Sequence, residues 1–172
     1  FNQEEKIIEE ILPRTTYIKR PKVSNITQMI CVISAKNPKP DLLMLDKQLA
    51  YAEYIGIKSI IVINKIDLDE KKVNEIKEIY KNVGYKIIET NAKEKEGIEE
   101  LKNILENNIS VFSGNSGVGK STLLNDIFNE EKTKEGLISD KNKRGKNTTT
   151  NISLYKINEN EYIADTPRIF YI

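Results

Sequence analysis

Gly114-Asn115-Ser116-Gly117-Val118-Gly119-Lys120-Ser121 matches the phosphate-binding pattern Gly-x4-Gly-Lys-Ser in full. The apolar run Ile109–Phe112 precedes it and a helical stretch, Lys120 to Phe128, follows, which is the strand–loop–helix setting the motif needs. Glycines let the backbone curl so that successive N–H groups face phosphate oxygens. Lys120 would reach the β- and γ-phosphates, Ser121 would give an oxygen to Mg²⁺, and the helix dipole adds positive potential. Asn115, Ser116, Gly117, Val118, Gly119, Lys120, Ser121 and Thr122 are therefore the expected phosphate-side contacts.

A second string, Asn64-Lys65-Ile66-Asp67, closes the β-branched run Ser59-Ile60-Ile61-Val62-Ile63. Such a run suits a strand buried on both faces, and its C-terminal end is where open α/β sheets place ligands. The Asp67 carboxylate can accept from guanine N1–H and N2–H₂ together. Adenine offers neither and would leave a desolvated carboxylate unpaired. Asn64 can bond N7, and the Lys65 stem can lie across the purine face. Thr90-Asn91-Ala92-Lys93 follows the next strand, where a backbone N–H can meet guanine O6. Asn91, Ala92 and Lys93 complete the base-side candidates.

The base-reading string precedes the phosphate loop, the reverse of the order in an ordinary small GTPase. The expected fold is thus an α/β P-loop NTPase, a circularly permuted GTPase domain with a mostly parallel sheet and helices on both faces. The pattern of apolar runs predicts strands at Met29–Ile33, Ser59–Ile63, Tyr85–Ile88 and Ile109–Phe112. Asp41 and Asp69 stand where helix N-caps belong. Leu42, Leu45, Leu49 and Ala52 fall on one face of the first helix, with Gly56 as its stop. Val73, Ile76 and either Ile79 or Tyr80 point inward from the second, which ends at Gly84. Ile98, Leu101, Ile104 and Leu105 mark a third. Residues 129–150 are polar without period and are expected as a mobile loop. Ile152–Ile157 and Tyr162–Ala164 are expected as an antiparallel pair turning at Asn158-Glu159-Asn160.

Asp165-Thr166-Pro167 ends the last strand, as the Mg²⁺-side Asp of a P-loop NTPase should. One hydroxyl of Thr148-Thr149-Thr150, with Thr149 favoured, is expected on Mg²⁺ or the γ-phosphate, although a Thr triplet also suits a strand start. Lys141, Lys143, Arg144 and Lys146 form either a solvated surface or a contact for phosphates, of the nucleotide or of RNA.

The 172 residues suffice for one domain of ordinary size. Lys and Arg number 27 against 26 Asp and Glu, so any nucleic-acid contact would be a local patch. The single cysteine, Cys31, sits in an apolar run and excludes an internal disulfide. With no histidine there is no His-based metal site or general base. No signal peptide or membrane-length apolar run is visible, so a cytoplasmic setting is expected. Residues 1–22 do not fit the repeating unit and are expected as the edge of a preceding unit or a linker, and 23–172 are assigned to the permuted domain. The start at Phe1 and the stop soon after Asp165 suggest a piece of a longer protein.

Together, Asn64-Lys65-Ile66-Asp67, Thr90-Asn91-Ala92-Lys93, Gly114 to Ser121, Arg144-Gly145-Lys146-Asn147-Thr148-Thr149-Thr150 and Asp165-Thr166-Pro167 resemble the ribosome small-subunit-dependent GTPase A family (RsgA/YjeQ). Leu12-Pro13-Arg14, Arg20-Pro21 and Ser24-Asn25 are similar to the segment joining that family's OB domain to its GTPase domain. The resemblance covers nearly the whole chain. It implies GTP hydrolysis with Mg²⁺ during late maturation of the small ribosomal subunit, stimulated by that subunit and its rRNA. It also implies an OB domain before this segment and a zinc-binding domain after it, with no zinc ligands in this chain. A monomer, with no membrane partner, is expected.

Two departures stand out. The family carries a His, with a catalytic role, where Asn147 stands, and a Gly where Arg168 stands. Asn147 can hydrogen-bond a water but cannot take its proton. Lys120, Thr149 and Asn147 are the candidate catalytic groups; Ser121, Thr149 and Asp165 are the candidate Mg²⁺ ligands. A nucleotide-gated binding module with little turnover is the alternative, and an ATP-using enzyme conflicts with Asp67.

Overall fold

The computed structural model describes residues 10–11, 13–19, 22–135, 153–158 and 160–165. The chain runs through β1 (Tyr17–Lys19), β2 (Lys22–Ser24), β3 (Gln28–Ser34), α1 (Leu42–Tyr54), β4 (Lys58–Asn64), α2 (Glu70–Lys81) and β5 (Lys86–Thr90). It continues through α3 (Ile98–Leu105), β6 (Ile109–Ser113), α4 (Lys120–Glu135), β7 (Ser153–Asn158) and β8 (Glu161–Asp165). Six strands form one sheet in the order β5-β4-β3-β6-β8-β7. All neighbours are parallel except β7 and β8, the expected antiparallel pair.

Strand periodicity decides the layering. Met29, Cys31 and Ile33 of β3 join Leu45, Leu49 and Ala52 of α1 and Val73, Ile76 and Tyr80 of α2 in one buried cluster. Ile30 and Val32, the intervening residues, join Ile98, Leu101 and Leu105 of α3 and Leu123, Leu124 and Ile127 of α4 in another. Helices therefore cover both faces, as expected. Asp41 caps α1 by accepting from the Met44 N–H at 3.0 Å, and Asp69 caps α2 through the Lys72 N–H at 3.0 Å. The inward residue of α2 is Tyr80, 3% exposed, rather than Ile79 at 49%.

Two expectations change. The chain from Asn129 is not a loop at once, because α4 continues to Glu135. The stretch Glu130-Glu131-Lys132-Thr133-Lys134-Glu135 is dominated by strong helix formers, and propensity prevails where an apolar period is missing. Among the described residues before 23, Thr16 to Lys19 also pack on the domain. β1 pairs antiparallel with β2, and Ile18 is fully buried in the α1/α2 cluster. The Thr16 hydroxyl donates to the Ile26 carbonyl at 2.8 Å, and the Thr27 hydroxyl donates to Asn108 Oδ1 at 2.8 Å.

Candidate nucleotide site

Strands β3, β4 and β5 step outward in chain order, and then the chain returns to lay β6 on the opposite side of β3. That reversal opens a crevice beyond the C-terminal ends of β3 and β6, where ligands of such sheets bind. The phosphate loop leaves β6 at Gly114 and enters α4 at Lys120. Gly114 has φ +146° and passes so close to β3 that a Cβ there would lie 2.1 Å from the Val32 carbonyl oxygen. Val118 is buried in the α3/α4 cluster and anchors the loop's middle. Ser116, Gly117, Ser121 and Thr122 are exposed along its outer side. The Lys120 ammonium folds back over the loop and donates to the carbonyls of Gly114 at 2.5 Å and Asn115 at 2.9 Å. These bonds hold the cation at the centre of the loop.

The base-side string packs directly on this loop. Asn64 is 1% exposed at the end of β4. Its Nδ2 donates to the Val118 carbonyl at 2.9 Å, while its Oδ1 accepts from the Thr90 hydroxyl at 3.1 Å and the Ala92 N–H at 3.3 Å. One amide thus ties together the phosphate loop, β5 and the loop after it. Gly119 makes the approach possible: at φ +105°, any Cβ would sit 2.1 Å from Asn64 Nδ2. Lys65 adopts a left-handed conformation, φ 61°. Its ammonium donates to the Gly117 carbonyl at 2.7 Å and to the Asn37 carbonyl in the β3–α1 loop.

Asp67 lies exposed in a single 3₁₀ turn, Ile66–Leu68. The third loop is shaped by Asn91, which is buried and exchanges backbone bonds of 3.1 Å with Glu96 in both directions. Asn91 Oδ1 also accepts from the Lys93 N–H at 3.3 Å. The N–H groups of Ala92 and Lys93 therefore already point into fixed, long hydrogen bonds.

Asn64, Lys65, Asn91, Ala92, Asn115, Val118 and Lys120 are thus joined around one crevice, with Gly117 and Gly119 in the same loop. β8 runs beside β6, with Ala164 opposite Val111, so Asp165 ends its strand on the phosphate-loop side of the sheet. Its side chain, and all of Asn147 and Thr149, lie outside the described residues. Sequence reasoning missed three groups. Thr90 holds Asn64, the Asn37 carbonyl holds Lys65, and Asp41 Oδ2 accepts from Asn115 Nδ2 at 3.4 Å. Thr90 had a signal in its place beside the third loop; Asn37 and Asp41 act by tertiary approach that no local pattern encodes. Burial pushes the Cys31 thiol up to about 12, so it is no nucleophile.

This fold and motif order define a circularly permuted GTPase domain. Residues 11–170 match the family model described as RsgA GTPase. The chain belongs to that family. A small ribosomal subunit biogenesis GTPase RsgA of Clostridium acetobutylicum is 47% identical over 162 residues, 94% of this chain and 56% of that protein. Its counterpart from Ruminiclostridium cellulolyticum is 42% identical over 160 residues, 93% of this chain and 52% of that protein. Among solved structures, YjeQ from Thermotoga maritima superposes with a TM-score of 0.75 at 38% identity, over 93% of this chain and 54% of that one. YloQ, described as a circularly permuted GTPase, gives 0.69 at 31% identity over 92% and 50%. The chain spans about half the length of the relatives it matches.

Proposed function

We propose that this chain binds and hydrolyses GTP, and that its protein acts in late maturation of the small ribosomal subunit. The observation that carries the reading is the pair of cross-ties from Asn64 and Lys65 to the Val118 and Gly117 carbonyls. They hold a guanine-type motif and a phosphate loop in one crevice. The relatives' name, small ribosomal subunit biogenesis GTPase, supports the biological role.

In this reading Asp67 pairs with the guanine N1–H and N2–H₂ edge. Asn64 keeps one amide proton on Val118 and offers the other to N7. The Lys65 stem covers the base, and the Ala92 and Lys93 N–H groups share their long bonds with O6, beside Asn91. Asn115, Ser116, Gly117, Val118, Gly119, Ser121 and Thr122 line the phosphates, and Lys120 neutralises them. Ser121, Asp165 and Thr149 would supply an all-oxygen set suited to Mg²⁺. The ion would draw charge from the β- and γ-oxygens. Asn147 would orient the attacking water without accepting its proton.

Intrinsic hydrolysis is expected at or below roughly 10⁻⁴ to 10⁻³ s⁻¹. A partner raising it about 10⁵-fold would supply roughly 7 kcal/mol of transition-state stabilisation. That partner is proposed to be the small subunit and its rRNA. The protein is read as a cytoplasmic monomer; among the described residues no helix is long and apolar enough to cross a membrane. Zinc belongs to another part of the longer family members.

The test is GTP turnover with and without purified small subunits. Stimulation supports the assignment; tight GTP binding without stimulation leaves either a need for the flanking parts of the longer relatives or the second reading, a nucleotide-gated binding module. Asn147 and Arg168 favour that second reading, and restoring His and Gly there separates the two. Asp67→Asn should abolish the preference for guanine; an unchanged preference would sink the base-side assignment.

A further inference from the structure

Gln48 has no task in this scheme, yet it is 1% exposed and its Nε2 donates to nothing. A buried amide donor without an acceptor is uncommon in folded proteins and calls for a missing partner such as an internal water. Gln48 stands two turns beyond Asp41 on α1, on the same helix face. Both line a cavity of about 10 Å³ walled on its other side by Gly114, Asn115 and Val118. That is the space of one water. The Asp41 carboxylate and the polar atoms of Ser34 and Asn115 on its walls supply the further partners a buried water requires. An apolar lining would leave it dry.

We propose that one buried water bridges the Gln48 amide to the flank of the phosphate loop, making Gln48 a positioning residue for nucleotide binding. α1 then braces the loop at two levels. Asp41 holds Asn115 directly at 3.4 Å, and Gln48 acts one layer deeper through the water. An apolar residue of the same size would satisfy packing equally well. The amide earns its place only by fixing the loop. This deepens the nucleotide-site reading above and rests on it.

The experiment has two arms, both on the full-length protein. A high-resolution crystal structure with GDP bound should contain one ordered water within hydrogen-bonding distance of the Gln48 amide nitrogen and of an oxygen on Asp41 or residues 114–115. A dry cavity overturns the proposal. Gln48→Met keeps the volume and removes the donor. Its GDP affinity should fall about threefold to tenfold, the scale of one water-mediated bond, while its melting temperature stays level or rises. Unchanged affinity, or a fall in melting temperature with affinity intact, would assign Gln48 to packing and overturn the proposal. In an Asn115→Ala background the Gln48→Met effect should shrink, because the two share the loop; full additivity contradicts the brace. Absence of guanine-nucleotide binding by the parent protein defeats the proposed function itself, whereas parental binding that Gln48→Met leaves unchanged defeats this inference alone.

Discussion

Replacing Asn64 by Ala should damage the protein before any nucleotide is added. The substitution removes the donor to the Val118 carbonyl and the acceptor for Thr90 and Ala92, at 2.9, 3.1 and 3.3 Å. All three partners are buried or nearly so. A net bond contributes about 1 kcal/mol, and an orphaned buried group costs about 1–3 kcal/mol. Weighting the two longer bonds down gives a loss of about 3 kcal/mol. For a chain of this size that lowers the melting temperature by roughly 6–12 °C. Urea denaturation and calorimetry of the nucleotide-free protein measure it, with Asp67→Asn, an exposed residue, as the control expected to move stability by less than about 0.5 kcal/mol. Thr90→Val should cost less, about 1 kcal/mol, and be nearly silent in the Asn64→Ala background. If Asn64→Ala melts like the parent and only loses guanine affinity, the cross-tie argument is wrong and Asn64 acts on the ligand alone.

Three further outcomes are expected. Ile18→Ala should destabilise the domain by about 2–4 kcal/mol in denaturant titration, as a fully buried aliphatic truncation does; a negligible cost would detach β1 from the core. Burial, then the hydrogen bond and charge of Asp46, raise the Tyr80 phenol above its usual value near 10. The folded state favours neutral Tyr80, so its contribution is complete below about pH 10 and is lost as pH climbs beyond the unfolded value. Tyr80→Phe should flatten that alkaline decline and cost about 1 kcal/mol at pH 7, read by unfolding at several pH values. Cys31, fully buried with its thiol raised, should resist alkylation at pH 8 until denaturant unfolds the domain; rapid native-state labelling would contradict the packing.

Much of the fold is legible because a parallel sheet buried on both faces writes its strands as apolar runs. Met29–Ile33 and Ser59–Ile63 could hardly be anything else. The face each residue occupies is not legible there, since both faces are apolar. Tyr80 outcompetes Ile79 because its ring fills the core while its hydroxyl finds Asp46 at 2.7 Å, a partner on another helix. Tyr17-Ile18-Lys19 is too short to show a period, so its place in the core was hidden. At the candidate site, residue types and order marked out the two strings that the fold brings together at one crevice. What stayed invisible was the mortar: Thr90, Asn37 and Asp41 matter through approach between loops distant in sequence, and Asn64 in a sequence reads as a ligand rather than a tie.

The strand order has a consequence for how the molecule is made. β3, β4 and β5, with their helices, are consecutive and adjacent, so the half that carries Asn64-Lys65-Ile66-Asp67 can assemble as a unit while it emerges from synthesis. The phosphate-loop strand comes later and must dock on an open edge of β3, where Met29, Ile30 and Cys31 wait unpaired. At about 5–20 residues per second, the stretch from β5 to β6 keeps that sticky edge bare for roughly one to five seconds. Exposed apolar edges template aggregation. A nascent chain stalled in this window is the species a chaperone would have most reason to meet.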